Sequence, residues 1–342
     1  MPRGADAGAA GGEAEPGPAG GDPPPRFQQL RNCALALVVA GCWADALPLA
    51  LAAETRFPDK GEVPFWIACV QCRLGAPERA LAALRAGLTR GHYWPDDWLF
   101  NDDDLEPLRE RPELADIARE SAAVRASAAA ATAEPLEPVV LAGGGAAPAA
   151  VVLALHGWGQ DADEFSVHWQ AAATRGYTIV VARSRQQPTP GFCVWDDRDV
   201  ARREVLDQLR RAVAHRGLAA APLLTAGFSQ GAGLAVELAL DDGLATTSDG
   251  FSAAGFLAVA GGVKDVEPPP NGARFAAAAG RGMRGRVLVG DRDGALEDAH
   301  ELAAAATAAG LRCVLTVTPG AGHEMPEPPG EPLAGELAAL FD

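Results

Sequence analysis

The stretch Leu223-Leu224-Thr225-Ala226-Gly227-Phe228-Ser229-Gln230-Gly231 decides how the rest of the chain is interpreted. An apolar run ends there in the pattern Gly-x-Ser-x-Gly, and a helical pattern starts at once. The segment therefore predicts a strand, a sharp turn and a helix, with Ser229 at the tip of the turn. Gly227 and Gly231 keep Cβ atoms out of that crowded turn. A serine held in this way presents its hydroxyl above a sheet, close to backbone N–H groups that bind an oxyanion.

Three further segments stand where a serine triad and its oxyanion hole need them. The strand pattern Arg286–Val289 leads into Gly290-Asp291-Arg292-Asp293, and the run Val314–Val317 is followed by a loop that carries His323. Upstream, the strand pattern Val151–Leu155 runs into His156-Gly157-Trp158-Gly159-Gln160. The order nucleophile, acid, base is the one that an α/β sheet of this kind allows.

From about residue 135 to residue 342 the chain resembles the serine α/β-hydrolases of the phospholipase/carboxylesterase group. This group includes acyl-protein thioesterases and is a cousin of the dienelactone hydrolases. The resemblance rests on the motifs LHGWGQ, GFSQG, GDRD and GAGHE. It implies Ser229 as nucleophile, Asp293 as acid and His323 as base, with the backbone N–H groups of Trp158 and Gln230 as oxyanion donors. Dienelactone hydrolases use a cysteine nucleophile, so the serine favours the esterase branch.

The acid stays open between two residues. In the related enzymes the acid motif usually reads His-Gly-x-x-Asp, but Val289 stands where that histidine would be. Asp291 is therefore an alternative to Asp293. With either acid, the expected reaction is hydrolysis of a carboxylic ester or thioester through an acyl-serine intermediate, and we expect neither a metal nor an organic cofactor.

Two other functions stay open at this point. The helical repeats described below could recruit a protein partner while the hydrolase fold serves as a catalytically weak or dead platform. A peptidase of the prolyl oligopeptidase kind would share the order of the triad residues, but those enzymes usually carry a propeller or a longer substrate-binding insertion, which this sequence lacks.

Charge and cysteine content narrow the range of partners. The net charge of -16 and the pI near 4.8 argue against nucleic-acid binding and against docking on an anionic membrane. No run approaches the roughly 18 to 20 apolar residues that a membrane span needs.

The six cysteines are scattered, which is typical of reduced thiols in a cytoplasmic protein. One alternative is a secretion signal, because Val39-Ala40-Gly41-Cys42 imitates a lipoprotein cleavage box.

The composition divides the chain into four segments. Residues 1–25 are rich in Gly, Ala, Pro and acidic side chains, which predicts a disordered tail. Residues 26–127 resemble tetratricopeptide repeats, because Ala34, Gly41 and Ala46 recur 34 residues later. Residues 128–148 are expected to form a linker and a hairpin leading into the sheet. Residues 149–342 are expected to form the hydrolase domain.

Helices and strands can be placed within these segments. The repeat region predicts the helices Cys33–Ala40, Ala44–Thr55, Pro64–Leu74 and Pro77–Thr89, followed by a capping segment from Trp98 to Arg125. The hydrolase region predicts a doubly wound α/β sheet. Its expected strands are Leu136–Leu141, Val151–Leu155, Tyr177–Ala182, Leu223–Ala226, Gly255–Val259, Arg286–Val289 and Leu311–Val317. Gly261–Gly285 is too short to hold a cap domain, so we expect an open groove.

Several other motifs have simpler structural interpretations. Gly280–Gly285 spells the dinucleotide fingerprint G-x-G-x-x-G, but it precedes a strand rather than a helix, so we expect no cofactor there. The acidic run Asp102–Asp104 would cap a helix rather than bind a metal. His156 is expected to support the oxyanion loop. Trp158 and Trp195 are expected to pack in the core or to line the acyl groove.

Overall fold

The computed structural model describes residues 26–131, 134–142, 148–218, 221–241, 252–267, 269–327 and 330–341. The tail predicted for residues 1–25 lies outside these ranges. Within them, no helix combines the length and the apolar character that crossing a bilayer requires.

The first described residues form a layered helical region. Its elements are α1 (Phe27–Val39), α2 (Trp43–Arg56), α3 (Glu62–Arg73), α4 (Pro77–Thr89), α5 (Asp96–Asn101), a 3₁₀ helix (Asp103–Leu108) and α6 (Pro112–Ala131). Helix α1 starts at Phe27 rather than at Cys33, because Phe27 and Leu30 are buried against Ala50 and Ile67 of the neighbouring helices.

The repeat seen in the sequence corresponds to two successive helical pairs, α1 with α2 and α3 with α4. Gly41 and Gly75 occupy equivalent turns and both have positive φ, 72° and 74°. Ala46 and Ala80 are both fully buried, so the small residues fall where the helices approach each other. The segment α5 to α6 packs over α3 and α4, as expected of a capping segment. Assignment to the tetratricopeptide class stays a prediction.

After the helical region, the residues that the structure describes form a seven-stranded sheet with flanking helices. Its strands are β1 (Val139–Ala142), β2 (Val151–Leu155), β3 (Thr178–Val181), β4 (Leu223–Phe228), β5 (Ala253–Val259), β6 (Arg284–Gly290) and β7 (Arg312–Thr318). The spatial order is β1-β3-β2-β4-β5-β6-β7, and every pair is parallel except β1 with β3. The helices between and after the strands are α7 (Ala162–Ser166), α8 (Gln170–Thr174), α9 (Arg198–Arg216), α10 (Gln230–Leu240), α11 (Gly272–Gly280), α12 (Leu296–Ala308) and α13 (Glu331–Ala338).

Both faces of the sheet are covered. Alternate residues of β2 point to opposite sides, so that Leu153 packs with the α9, α10 and α12 layer and Val152 with the α7, α8 and α13 layer. A mostly parallel sheet with two helical layers and a strand-turn-helix at Ser229 is the α/β-hydrolase fold. The predicted fold class is therefore confirmed.

The strand β1 differs from the sequence expectation in its partner. A hairpin leading into the sheet would pair β1 with β2, but β1 pairs antiparallel with β3, matching Val139 to Val181. The reason is that both edges of β2 are already occupied by the parallel strands β3 and β4. The division of the chain near residues 127 and 149 stays a proposal, and the glycine turn at 143–145 lies outside the described residues.

The helical region is docked on the hydrolase fold. The Lys60 ammonium, in the loop between α2 and α3, donates to Asp161 (2.7 Å) and to Glu164 (3.1 Å) at the start of α7. Beside it, Trp98 of α5 meets the ring of Phe192 edge to face at 5.2 Å. A part-buried ion pair and an aromatic contact therefore fix the helices over the carboxyl ends of the strands.

Candidate active site

Ser229 sits on a strained turn between β4 and α10. Its φ of 52° is one that a residue with a side chain rarely adopts. A Cβ at Gly227 would clash with the backbone of Gly231, and a Cβ at Gly231 would clash with the carbonyl of His156. The turn is therefore compatible only with glycine at both flanking positions, as the sequence pattern predicted. The Ser229 N–H donates to the Val259 carbonyl at 2.9 Å, which ties the turn to β5.

The imidazole of His323 lies between a hydroxyl and a carboxylate. Its Nε2 is 2.9 Å from Ser229 Oγ. Its Nδ1 is 3.0 Å from Asp293 Oδ1 and 3.1 Å from Oδ2. Because a carboxylate only accepts, the proton of the neutral ring is on Nδ1, and Nε2 is free to accept from the serine hydroxyl. Three residues from distant parts of the chain are thus joined in one hydrogen-bonded line.

The two candidate acids occupy different places. Asp293 is 6% exposed, and it accepts from the Ala295 N–H (2.9 Å) as well as from His323. Burial alone would raise the pKa of Asp293, but these hydrogen bonds outweigh burial and hold the pKa below its usual value. Asp291 instead accepts from the Gly320 N–H at 2.7 Å, which braces the loop that carries His323. The structure therefore brings Asp293, and not Asp291, to the imidazole.

His156 stabilises the loop after β2 through a hydrogen bond and a ring contact. The His156 ring is fully buried, is stacked on Trp195 at 4.5 Å, and donates from Nδ1 to the Gly157 carbonyl at 2.9 Å. Burial lowers the pKa of His156 to about 4, so the ring is neutral at neutral pH. The Trp195 indole donates to the His156 carbonyl at 2.8 Å. Trp195 therefore packs in the core, whereas Trp158 is 48% exposed and lines a cavity that also contains Ser229.

Two backbone N–H groups, those of Trp158 and Gln230, were expected to form the oxyanion hole. Within the residues that the structure describes, neither the Trp158 N–H nor the Gln230 N–H donates to a protein acceptor. The Gln230 side chain is turned away from them, because it accepts from the Trp195 N–H (2.8 Å) and donates to Asp196 (2.7 Å). Gln230 also opens α10, where the positive end of the helix dipole favours a negative charge.

The helix α1 forms one wall of the cavity at Ser229. This cavity has a volume of about 360 Å³ and is lined by Ser229, His323 and Trp158, together with Arg31 and Leu35 of α1. The described residues between β5 and β6 form a short 3₁₀ helix and α11 rather than a cap domain, yet the groove is not open on all sides. Sequence reasoning missed this wall, because nothing local in α1 indicates contact with a loop over 100 residues away.

Among the residues described, one cluster of side chains has the spacing that a metal ion would need. One set of three, Cys69, Asp102 and Asp104, has its donor atoms within 4.8 Å of one another. Asp102 caps the 3₁₀ helix by accepting from the Asp104 N–H at 2.8 Å. Burial and the two carboxylates raise the pKa of the Cys69 thiol well above its usual value, so the thiolate that a metal would need is disfavoured. This agrees with a capping role for the acidic run.

No protein-family model matches this chain, and no curated protein sequence matches it. Solved structures do resemble it at low identity. An uncharacterized protein from Bacillus cereus ATCC 10987 is 17% identical, with a TM-score of 0.49, covering 92% of this chain and 99% of that one. Acyl-protein thioesterase 2 from Zea mays is 15% identical, with a TM-score of 0.45, covering 60% and 99%. Esterase PE8 is 18% identical, with a TM-score of 0.45, covering 60% and 100%.

Proposed function

We propose that this chain is a serine hydrolase that cleaves carboxylic esters or thioesters through an acyl-serine intermediate. The observation that carries the proposal is the line Ser229–His323–Asp293, in which each successive pair is within hydrogen-bond distance. A serine hydroxyl is a weak nucleophile at neutral pH, and an adjacent oriented imidazole is what activates it.

In the acylation step, His323 Nε2 takes the proton of Ser229 as Oγ attacks the carbonyl carbon of the substrate. Asp293 holds the Nδ1 proton, fixes the ring in the required tautomer and stabilises the imidazolium that forms. We assign the N–H groups of Trp158 and Gln230 to the oxyanion, where each donor contributes on the order of 3 kcal/mol to transition-state stabilisation. His323 then returns the proton to the leaving alcohol or thiol.

Deacylation uses the same groups in reverse. Water donates its proton to His323 Nε2 and attacks the acyl-serine carbonyl, and the collapse of the tetrahedral intermediate restores the Ser229 hydroxyl and releases the acid. In this reaction, Ser229, His323 and the substrates account for every proton transfer.

A cytoplasmic location and a protein partner for the helical region stay predictions.

The test is hydrolysis of p-nitrophenyl acetate by the wild type and by Ser229→Ala. We expect the loss of the nucleophile to lower kcat by at least 1,000-fold, since the remaining groups cannot form an acyl-enzyme. Ser184→Ala is the matched control, because Ser184 also follows the carboxyl end of a buried strand, but it is itself buried and donates to the Val194 carbonyl instead of facing an imidazole. Equal rates for the wild type and Ser229→Ala would end the proposal.

A further inference from the structure

A second cavity lies beside the catalytic one, within the helical region. Its volume is about 350 Å³, in the range of small-molecule sites. Helices α1, α2 and α3 form its walls, and the hydrolase fold contributes two side chains from the loops above the sheet. Six of its lining residues are aromatic: Trp43, Phe65, Trp66, Trp98, Trp158 and Phe192.

The two cavities share a boundary. Arg31, Leu35 and Trp158 line both of them. Leu35 and Trp158 are 57% and 48% exposed, so a large apolar surface lies uncovered where the cavities meet. Trp158 is also the residue to which we assign an oxyanion N–H, so this shared boundary lies next to the carbonyl of a substrate bound at Ser229.

Four charged residues line the cavity, and each has a polar partner; the carboxylate of one of them, Asp102, accepts from the Asp104 N–H at 2.8 Å. The Arg31 Nε lies 3.4 Å from the Glu62 carboxylate, and its guanidinium also donates to the Trp158 carbonyl at 3.3 Å. Asp104 faces Arg73 at 3.6 Å. The Arg31 guanidinium also lies over the rings of Trp158 and Phe192, at 5.5 Å and 5.2 Å from their centroids. With these polar groups already engaged, the surface left for a ligand is mainly apolar, which favours a neutral hydrocarbon chain over a charged group.

We propose that this cavity binds the acyl chain of an ester whose carbonyl is held at Ser229. The proposal rests on the hydrolase function proposed above and deepens it, because it places the choice of acyl chain in the helical region rather than in the hydrolase fold. Burial of each added methylene in such a pocket raises kcat/KM about fourfold until the cavity is full.

Two neighbouring residues of α1 offer a matched pair of variants. Val38 is half-buried and lines the aromatic cavity, whereas Val39 is 80% exposed and lines neither cavity. Val38→Trp fills the cavity with an indole, and Val39→Trp places the same indole in solvent from the same helix.

The readout is the ratio of kcat/KM for p-nitrophenyl octanoate to that for p-nitrophenyl acetate. We expect the ratio to fall at least tenfold in Val38→Trp and to stay within twofold of the wild type in Val39→Trp. Because both substrates are measured on one enzyme sample, a partly unfolded variant does not change the ratio. An unchanged ratio in Val38→Trp would overturn the proposal.

A binding measurement separates this proposal from the hydrolase function. We expect calorimetry to show methyl octanoate binding to Ser229→Ala, and binding at least tenfold weaker when Val38→Trp is added. If the wild type hydrolyses no ester but this difference in binding is found, the cavity assignment stands and the proposed hydrolase function is refuted. If esters are hydrolysed and the two variants bind methyl octanoate equally, the cavity assignment is wrong.

Discussion

Glu62 at the start of α3 should make the stability of the protein fall as pH rises. The residue is 1% exposed, and Arg31 Nε lies 3.4 Å from one carboxylate oxygen. Within the described residues, neither oxygen accepts a hydrogen bond. Burial raises the pKa of Glu62 from 4.5 to about 7, with Arg31 and Lys60 opposing the rise and Glu164 adding to it. Glu62→Gln removes the ionisation and keeps the shape of the side chain.

The expected magnitude follows from this pKa. The folded state holds the Glu62 proton up to about pH 7, but the unfolded chain releases it near pH 4.5. Between these values the folded state binds more protons, so the free energy of unfolding of the wild type falls as pH rises through this window and levels off above it. Between pH 5 and pH 8 the loss is about 2.5 kcal/mol, at about 1.4 kcal/mol per unit of pKa shift.

Urea unfolding of the wild type and Glu62→Gln at pH 5 and at pH 8 measures this loss. Other carboxylates titrate in both proteins, so the difference between the two isolates Glu62. We expect the free energy of unfolding of Glu62→Gln, relative to the wild type, to be about 2.5 kcal/mol higher at pH 8 than at pH 5. A difference that is the same at both pH values would show that burial does not penalise the charged form of Glu62.

Three further substitutions probe the acid, the docking of the helices and the nucleophile turn. Asp293→Asn should lower kcat on the order of 10,000-fold, because the imidazole loses its orienting carboxylate, whereas Asp291→Asn should lower it only severalfold; steady-state kinetics that rank the two variants in reverse would refute the assignment. Lys60→Met leaves two acidic side chains without their cation and should lower the free energy of unfolding by about 3 kcal/mol in urea. Lys264→Met, in which an exposed ammonium is lost, should leave the urea midpoint unchanged, and equal effects of the two would contradict the docking role. Gly231→Ala should lower the free energy of unfolding by about 3 kcal/mol, because a Cβ there meets backbone carbonyls; wild-type stability would mean that the turn is looser than described.

Local patterns in the sequence predicted the positions of most helices and strands. The apolar run before Ser229 predicted a strand ending at Ala226, and β4 ends two residues later, at Phe228. The helix Pro77–Thr89 matches α4 at both ends, because proline at the first turn marks where a helix begins. These features depend on residues close together in the chain, so that periodicity, proline and glycine are enough to place them.

Long-range contacts were not accessible in the same way. The spacing of Asp291 and Asp293 could not decide between them, since both follow the same strand and only the path of the later loop brings His323 to one of them. The wall that α1 adds to the cavity joins Arg31 to Trp158, which are 127 residues apart. A contact of this kind depends on how the helices dock, and no periodicity within either segment encodes it.

The central claim is that Ser229 is an activated nucleophile, and covalent labelling tests it most directly. A fluorophosphonate probe reacts with serines whose hydroxyl is deprotonated by a neighbouring base, and mass spectrometry of the labelled peptides identifies the residue. We predict stoichiometric labelling at Ser229 in the wild type and at least 100-fold slower labelling in His323→Ala, because the base that removes the proton is gone. An intact wild-type protein that stays unlabelled, or a label on another serine, would contradict the account.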